Sequence, residues 1–373
     1  ERGIPTRSAS TPKPTSHVAQ KLWVVPDVDA LPEAPPEAPS LVLLSHKEED
    51  SVGQAEAEVL DMSSWLDALL SLFHHGCDWE VYSFILVHLP AQLSNHPIFR
   101  GAIPHIRELR RLLCEMLRGC TFQEPPFVSG LRRTDVANCL YHSLTMILSY
   151  HHHFSKVDED DIVQTFTHGI PDKTAKICIH ALSVCCHELP MSVSKSLITI
   201  LGRMSQVITP PFVAMHILEF LACLSRLHSL YSNFREDDYR IVFGICFRYL
   251  QYVREKKHAM RGSIASEPAT PSVASASQHD VLGHQATDDL PQYVYALAYH
   301  VITFWFLAVK LPDRPNHIGW IAKNLFTDVD GSASNEEQAQ ITLDFMQRVA
   351  FSDASDSAQD PLFKEEYFGT IHK

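Results

Sequence analysis

The chain has 373 residues, a formal net charge of −13 and a hydrophobic content of 45%. The acidic balance argues against a general nucleic-acid-binding function, because contact with a phosphate backbone needs a concentrated basic face. The hydrophobic content is sufficient for a large core, so the length corresponds to one to three globular units or to one elongated array.

The first 54 residues have the composition of a disordered leader. They are rich in proline, serine, threonine, alanine and acidic residues, and the prolines between residues 32 and 39 cannot donate backbone hydrogen bonds. Two short apolar patches, 22–25 and 41–44, interrupt this leader. Either patch could dock onto the folded body, or both could remain undocked.

Helical periodicity dominates the chain from residue 103 to residue 350, and the predicted helical domain covers residues 55–352. In one example, Val193, Leu197, Ile200, Leu201 and Met204 fall at i, i+4, i+7, i+8 and i+11, which places them on one side of a helix. Prolines and capping residues separate such segments. The predicted helix pairs are 55–74 with 79–93, 103–118 with 133–152, 158–169 with 173–188, 191–207 with 211–228, 236–256 with 291–311, and 316–326 with 335–351.

Helix pairs in series predict an all-α fold, an α-solenoid of HEAT-like or armadillo-like pairs over residues 55–352. A compact all-α domain is the structural alternative, because the pairs are unevenly spaced and no sequence repeat is evident. Residues 262–288 are rich in serine, alanine, threonine and proline, which predicts a disordered inserted loop. Residues 353–373 are expected to form a C-terminal tail.

The segment 292–309 contains no charged residue and resembles a membrane span in composition. It is slightly shorter than the roughly 20 apolar residues that a spanning helix needs, and His300 lies in its middle. We therefore expect a buried core helix and no transmembrane segment.

The nine cysteines are an odd number and mostly occupy apolar helical stretches, which is typical of free thiols in a reducing, cytosolic compartment. Five residues between 178 and 187 could form a thiolate and imidazole site: Cys178, His180, Cys185, Cys186 and His187. Their spacing has neither a C-x-x-C nor a zinc-finger pattern. We expect buried structural thiols and no metal site there.

The run His151, His152 and His153 is the most metal-like cluster, and it is followed by four acidic residues, 158–161. Adjacent helical positions point about 100° apart, so three consecutive histidines cannot converge on one ion within a helix. The alternative is a solvated helix end, with the acidic residues capping the next helix. We expect the second arrangement.

No catalytic signature appears in the chain. A G-x-S-x-G elbow, a glycine-rich phosphate loop and an H-E-x-x-H motif are all missing from the sequence. The sequence therefore favours a binding scaffold over an enzyme, with no catalytic residues and no cofactor.

The segment 103–118 carries a basic stripe in an otherwise acidic chain. Arg107, Arg110, Arg111 and Arg118 lie opposite a set of apolar residues on the predicted helix. This stripe is our candidate partner-binding surface, suited to an acidic partner helix. The alternative is a charged face that pairs with carboxylates of neighbouring helices or with solvent.

Two segments resemble the N-terminal helical region of tuberin. The first, 227–247, reads LHSLYSNFREDDYRIVFGICF and contains an L-Y-x-N-F turn followed by a Y-x-x-V-F helix. The second, 292–325, contains H-V-I-x-x-W-F and then L-P-x-R. The divergence of the other segments would suit a fungal-type member of the tuberin family. Tyr231, Phe234 and Trp305 match motif positions, and their residue types indicate packing.

The resemblance implies a HEAT-like scaffold that binds the coiled-coil protein hamartin. The complex restrains TOR signalling through a separate domain that activates GTP hydrolysis on Rheb, and this domain is not recognised in the chain. A cytoplasmic location is implied, with peripheral attachment of the complex at lysosomal or vacuolar membranes. Two alternatives remain: a regulatory domain that contacts a small GTPase directly, and an all-α enzyme.

Overall fold

The computed structural model describes residues 61–264, 281–328, 331, 333–334 and 336–351. Within these residues all regular structure is helical apart from one isolated antiparallel bridge between Thr327 and Ala333. The predicted all-α fold class is therefore confirmed. The predicted leader (1–54), the tail (353–373) and the centre of the predicted insertion lie outside the described residues.

Apart from the short helix His96–Phe99, which periodicity does not predict, the helices follow the predicted segments in chain order. They are α1 (Met62–His75), α2 (Trp79–Leu93), α3 (His96–Phe99), α4 (Ile103–Gly119), α5 (Arg133–Ile147), α6 (Lys156–His168), α7 (Ala175–Glu188), α8 (Pro190–Gln206), α9 (Pro211–Leu224), α10 (Glu236–Ile264), α11 (Val281–Ala308), α12 (Arg314–Phe326) and α13 (Glu337–Ala350).

Several boundaries differ from the prediction; α9, for example, ends at Leu224 and not at residue 228. The predicted helix 133–152 ends as an α-helix at Ile147 and continues as the 3₁₀ helix Leu148–His153. In addition, α10 and α11 extend into both ends of the predicted insertion 262–288. The start of α11 was predicted at Pro291 because proline favours the first turn of a helix, whereas Pro291 lies inside α11.

The chain divides into two compact units, Glu1–Ser196 and Leu197–Lys373, and the division falls inside α8. In the first unit, α4 packs against α1 and α6, while α5 packs against α2 and α7. The two rows are joined because α4 contacts α5 and α6 contacts α7. Helix pairs that stack in two rows are the arrangement of solenoid layers.

The second unit has the same type of packing around α11. This helix contacts α9, α10 and α13, and α10 contacts α12. One face of α11 is fully buried, including Val294, Ile302 and Trp305. The prediction of a core helix over this segment is confirmed for that face.

No single described helix is long and apolar enough to cross a membrane. One pair in that part of the chain, Leu290–Ala308 with Leu311–Phe326, meets the length and composition requirements together but is bent by 115°. Both of these helices contribute buried side chains to the core of the second unit.

Candidate functional site

Arg110, at the centre of the predicted basic stripe, forms ion pairs inside the first unit. The Arg110 side chain is only 6% exposed, and it donates from Nη2 to Asp158 Oδ1 at 2.5 Å and from Nη1 to Asp161 Oδ2 at 2.9 Å. Both carboxylates belong to α6. Arg110 therefore pairs with carboxylates of a neighbouring helix, which was the alternative interpretation of the basic stripe.

Asp158 has two structural roles at once. Ser155 caps α6, and in this capping box the Asp158 side chain accepts the Ser155 backbone N–H while the Ser155 hydroxyl accepts the Asp158 N–H. Burial alone would raise the pKa of Asp158, but the hydrogen bonds from Ser155 and the charges of Arg110 and Arg107 together lower it. The prediction that the acidic residues cap this helix is confirmed for Asp158.

The other three arginines of the stripe remain partly accessible. Arg118 pairs with Asp161 at 2.5 Å, and Arg107 lies 3.5 Å from Asp158. Arg111 pairs with Glu108 and Glu115 on its own helix. The Arg107 and Arg111 side chains are 51% and 42% exposed. Partner contact by Arg107, Arg111 and Arg118 stays a prediction. Arg110 is buried and is not part of the accessible surface.

A second candidate surface lies on α11, opposite its buried face. Tyr293, Phe304 and Leu307 are 50%, 39% and 42% exposed. Exposed His300 lies between them, with its ring 6.3 Å from that of Phe304. No charged residue occurs from 290 to 309. These four residues, three of them apolar, form an exposed stripe, the α11 stripe, that the sequence analysis does not identify.

The aromatic residues that carry the family resemblance lie together in the second unit. Tyr231 packs 4.8 Å from Trp305 between ring centroids, and Phe234 is stacked on the same indole at 6.2 Å. Tyr239 completes the cluster with edge contacts to all three rings. These ring contacts support the prediction that Tyr231, Phe234 and Trp305 pack; Tyr231 and Trp305 are buried, and Phe234 is half-buried.

A cavity of about 190 Å³ lies beside this aromatic cluster. Its wall includes Tyr239, Lys310, Asp313 and the buried His317. No hydrogen-bond partner is found for His317 Nδ1 within the described residues, and burial lowers the pKa of this imidazole. The cavity carries both signs of charge, and its lining offers no nucleophile held by a general base.

The three histidines of the run do not share one set of contacts. His151 Nδ1 lies 3.0 Å from the Leu148 carbonyl oxygen and 3.3 Å from a Glu188 carboxylate oxygen, while His152 and His153 are exposed. In the part of the chain that the structure describes, no group of three or more histidine, cysteine or acidic residues is arranged to hold a metal ion.

The predicted burial of the thiols on α7 is confirmed. Cys178 and Cys185 are fully buried, and Cys186 is nearly so. Burial raises the pKa values of the Cys178 and Cys185 thiols, which keeps them in the unreactive protonated form. His180 and His187 face away from the core and are exposed. All nine cysteines are free.

These features define a class: an all-α protein of stacked helix pairs, with exposed helix faces and with its central arginine and motif aromatics used for internal packing. The tuberin family model matches residues 33–259, more than half of the chain, and the chain belongs to the tuberin family.

A curated relative gives the same result. The chain is 31% identical over 288 residues to the tuberous sclerosis 2 protein homolog of Schizosaccharomyces pombe. The alignment covers 77% of this chain and 20% of that protein. The chain therefore spans about a fifth of the length of the relative that it matches.

Proposed function

We propose that this chain is a non-catalytic scaffold domain of a tuberin-like GTPase-activating protein. In this role it binds hamartin and stabilises the complex that restrains growth signalling through Rheb and TOR. Family membership supports the proposal, and the exposed α11 stripe is the observation that carries it. The domain that activates GTP hydrolysis is the separate one that the family resemblance implies.

The α11 stripe has the chemistry that a coiled-coil partner requires. An amphipathic helix docks by laying its apolar face along a matching apolar surface. From Tyr293 to Leu307 the stripe extends about 21 Å at 1.5 Å per residue, which corresponds to two heptads of a partner helix. Because the stripe contains no Asp, Glu, Lys or Arg side chain, docking against it desolvates none of these charged groups.

A charge introduced into the stripe tests this proposal. Phe304→Glu places a carboxylate on the docking surface, and we expect the affinity for a hamartin coiled-coil fragment to fall at least about tenfold, measured by titration with the purified fragment. The matched control is Val157→Glu. Val157 is 76% exposed in the first turn of α6, where an added carboxylate suits the helix dipole. Equal affinities for the two variants would exclude the α11 stripe as the contact.

The accessible arginines of α4 supply a second proposed contact. Arg107, Arg111 and Arg118 are the members of the stripe that a partner could reach, since Arg110 is buried. Replacing Arg107 and Arg111 by glutamate should weaken hamartin binding and reduce its salt dependence if these residues meet an acidic partner. Unchanged binding would indicate that the two arginines serve in ion pairs within this chain and do not contact hamartin.

A small GTPase, tested in the same titration, separates the scaffold from the regulatory alternative. The scaffold proposal expects the hamartin fragment to bind and isolated Rheb not to bind. Binding of Rheb alone would favour the direct regulatory role. For location, we propose the cytoplasm with peripheral attachment at lysosomal or vacuolar membranes as part of the complex, which imaging of a tagged protein would test.

A further inference from the structure

A cavity of about 230 Å³ opens in the first unit, where α3 and the start of α4 meet the 3₁₀ helix Leu148–His153. Its polar lining comes from His96, Arg100, Ser149, His152 and His153. None of the residues on its wall is acidic. A concave surface with cationic and hydrogen-bond-donating groups, and without carboxylates, favours an anion.

The polar groups of this cavity are not all available to a ligand. The Ser149 hydroxyl donates to the Met146 carbonyl oxygen at 2.7 Å. Tyr150, which also lines the cavity, donates its hydroxyl hydrogen to the Leu93 carbonyl oxygen at 2.6 Å. The groups left for a ligand are therefore the Arg100 guanidinium and the three imidazoles.

Arg100 differs from the other arginines of the first unit. In the described part of that unit, each of the others has a carboxylate within 4.0 Å: Arg107, Arg110, Arg111, Arg118, Arg132 and Arg133. No such ion pair is found for Arg100 among the described residues, although the whole chain carries a net charge of −13. An arginine without an internal carboxylate leaves its planar fork of donors open to an external anion.

The neighbouring carboxylate of Glu188 does not neutralise the cavity directly. It pairs with His151 at 3.3 Å, and the His151 side chain is not part of the cavity wall. The His96 ring lies 4.6 Å from the buried Tyr150 ring and is tilted by 39° to it, and this contact orients one imidazole at the cavity edge.

We propose that this cavity is a binding site for a phosphate group. The Arg100 guanidinium supplies a bidentate pair of donors to the phosphate oxygens, and His96, His152 and His153 supply further N–H donors. The site uses none of the residues of the α11 stripe or of the basic stripe, so its test does not depend on the proposed binding of hamartin. A phosphate on a soluble molecule and a phosphate on a lipid headgroup share the chemistry that the site recognises.

The first experiment titrates the 373-residue chain with inorganic pyrophosphate by calorimetry. We expect saturable binding at one site, and a loss of affinity of at least about tenfold in Arg100→Ala, since a bidentate charged contact is removed. Arg132→Ala is the matched control, because Arg132 is an exposed arginine near Asp135 that does not line the cavity. Arg100→Lys should recover part of the affinity through its charge. Helix content measured by circular dichroism confirms that each variant is folded.

The second experiment distinguishes the two sources of phosphate. Sedimentation with phosphatidylcholine vesicles, with and without a phosphoinositide, measures lipid binding of the wild-type chain and of Arg100→Ala. Binding that depends on Arg100 with pyrophosphate alone supports a soluble ligand, and the same dependence with phosphoinositide vesicles alone supports a headgroup. The proposal is overturned if neither probe binds, or if Arg100→Ala binds both as tightly as the wild-type chain.

Discussion

Trp305 donates its indole Nε1 hydrogen to the carbonyl oxygen of Leu221 across 2.9 Å, and this bond joins α11 to α9 inside the second unit. The indole is fully buried, with Tyr231, Phe234 and Tyr239 around it. The same tryptophan therefore contributes apolar burial, ring contacts and a hydrogen bond between helices.

Replacing Trp305 should destabilise the protein strongly. Trp305→Ala removes a large buried side chain, and we expect the free energy of unfolding to fall by about 3–5 kcal/mol. The measurement is urea denaturation followed by circular dichroism. Trp65→Ala is the control, because Trp65 is 36% exposed and its loss leaves a smaller cavity. A Trp305→Ala effect no larger than that of Trp65→Ala would contradict the proposed packing role.

Arg110 and Arg111 are sequence neighbours with different environments. Arg110→Ala leaves Asp158 and Asp161 without their buried partner, and we expect a loss of about 3 kcal/mol in unfolding free energy. Arg111→Ala breaks exposed pairs within one helix, and we expect a loss below about 1 kcal/mol. Urea denaturation of both variants measures the difference. Similar losses would show that Arg110 is not buried in its ion pairs.

The stability of the second unit should depend on pH through Glu336. Burial would raise the pKa of Glu336, but hydrogen bonds from Tyr295 and Tyr299 and the charge of Arg254 outweigh it and lower this pKa below its usual 4.5. The folded state therefore favours the carboxylate. Its stabilising contribution is complete above pH 4.5 and is lost as the pH falls through the lowered native value.

Glu336→Gln tests this dependence. We expect the variant to be less stable than the wild-type chain at pH 7, because among the described residues Arg254 then keeps Asp328 as its one charged partner. We also expect the variant to lose less additional stability than the wild-type chain between pH 5 and pH 3. Thermal unfolding at about unit intervals of pH measures this loss. Glu337→Gln, at the next and exposed position, should behave like the wild-type chain. If Glu336→Gln loses as much stability between pH 5 and pH 3 as the wild-type chain, Glu336 is not the source of the pH dependence.

The cysteines should separate into two groups by reactivity. Cys120 and Cys223 are exposed, whereas Cys178 and Cys185 are fully buried and their thiol pKa values are raised by that burial. Iodoacetamide should label the exposed pair in the native state and the buried pair only after denaturation. Peptide mapping by mass spectrometry reads out each site. Native labelling of Cys178 as fast as that of Cys223 would contradict its placement in the core.

Helix positions were predictable from the sequence because burial repeats with the helical period. Val193, Leu197 and Met204 were assigned to one face of α8, and all three are fully buried. Periodicity identifies a face but not the element that packs against it. The partner of Arg110 is Asp158, 48 residues away, so the sequence left both a partner contact and an internal pair open.

The α11 stripe shows the same limit of helical periodicity, here for an exposed face. Tyr293, Phe304 and Leu307 share a face by helical spacing, as do Val294, Val301 and Trp305. The sequence spacing of an apolar face is the same whether the face is buried or exposed in the fold. Only the packing of α9, α10 and α13 around α11 distinguishes the buried side from the exposed one.

The double use of Asp158 links local order to long-range order. The carboxylate that fixes the first turn of α6 is also the one that holds Arg110 of α4. Unwinding that turn would release the ion pair, and separating the two helices would loosen the turn. Fraying at this helix end is therefore thermodynamically coupled to opening of the layer, so the backbone amides of Ser155 and Asp158 should exchange with solvent deuterium as slowly as the interior of the layer does.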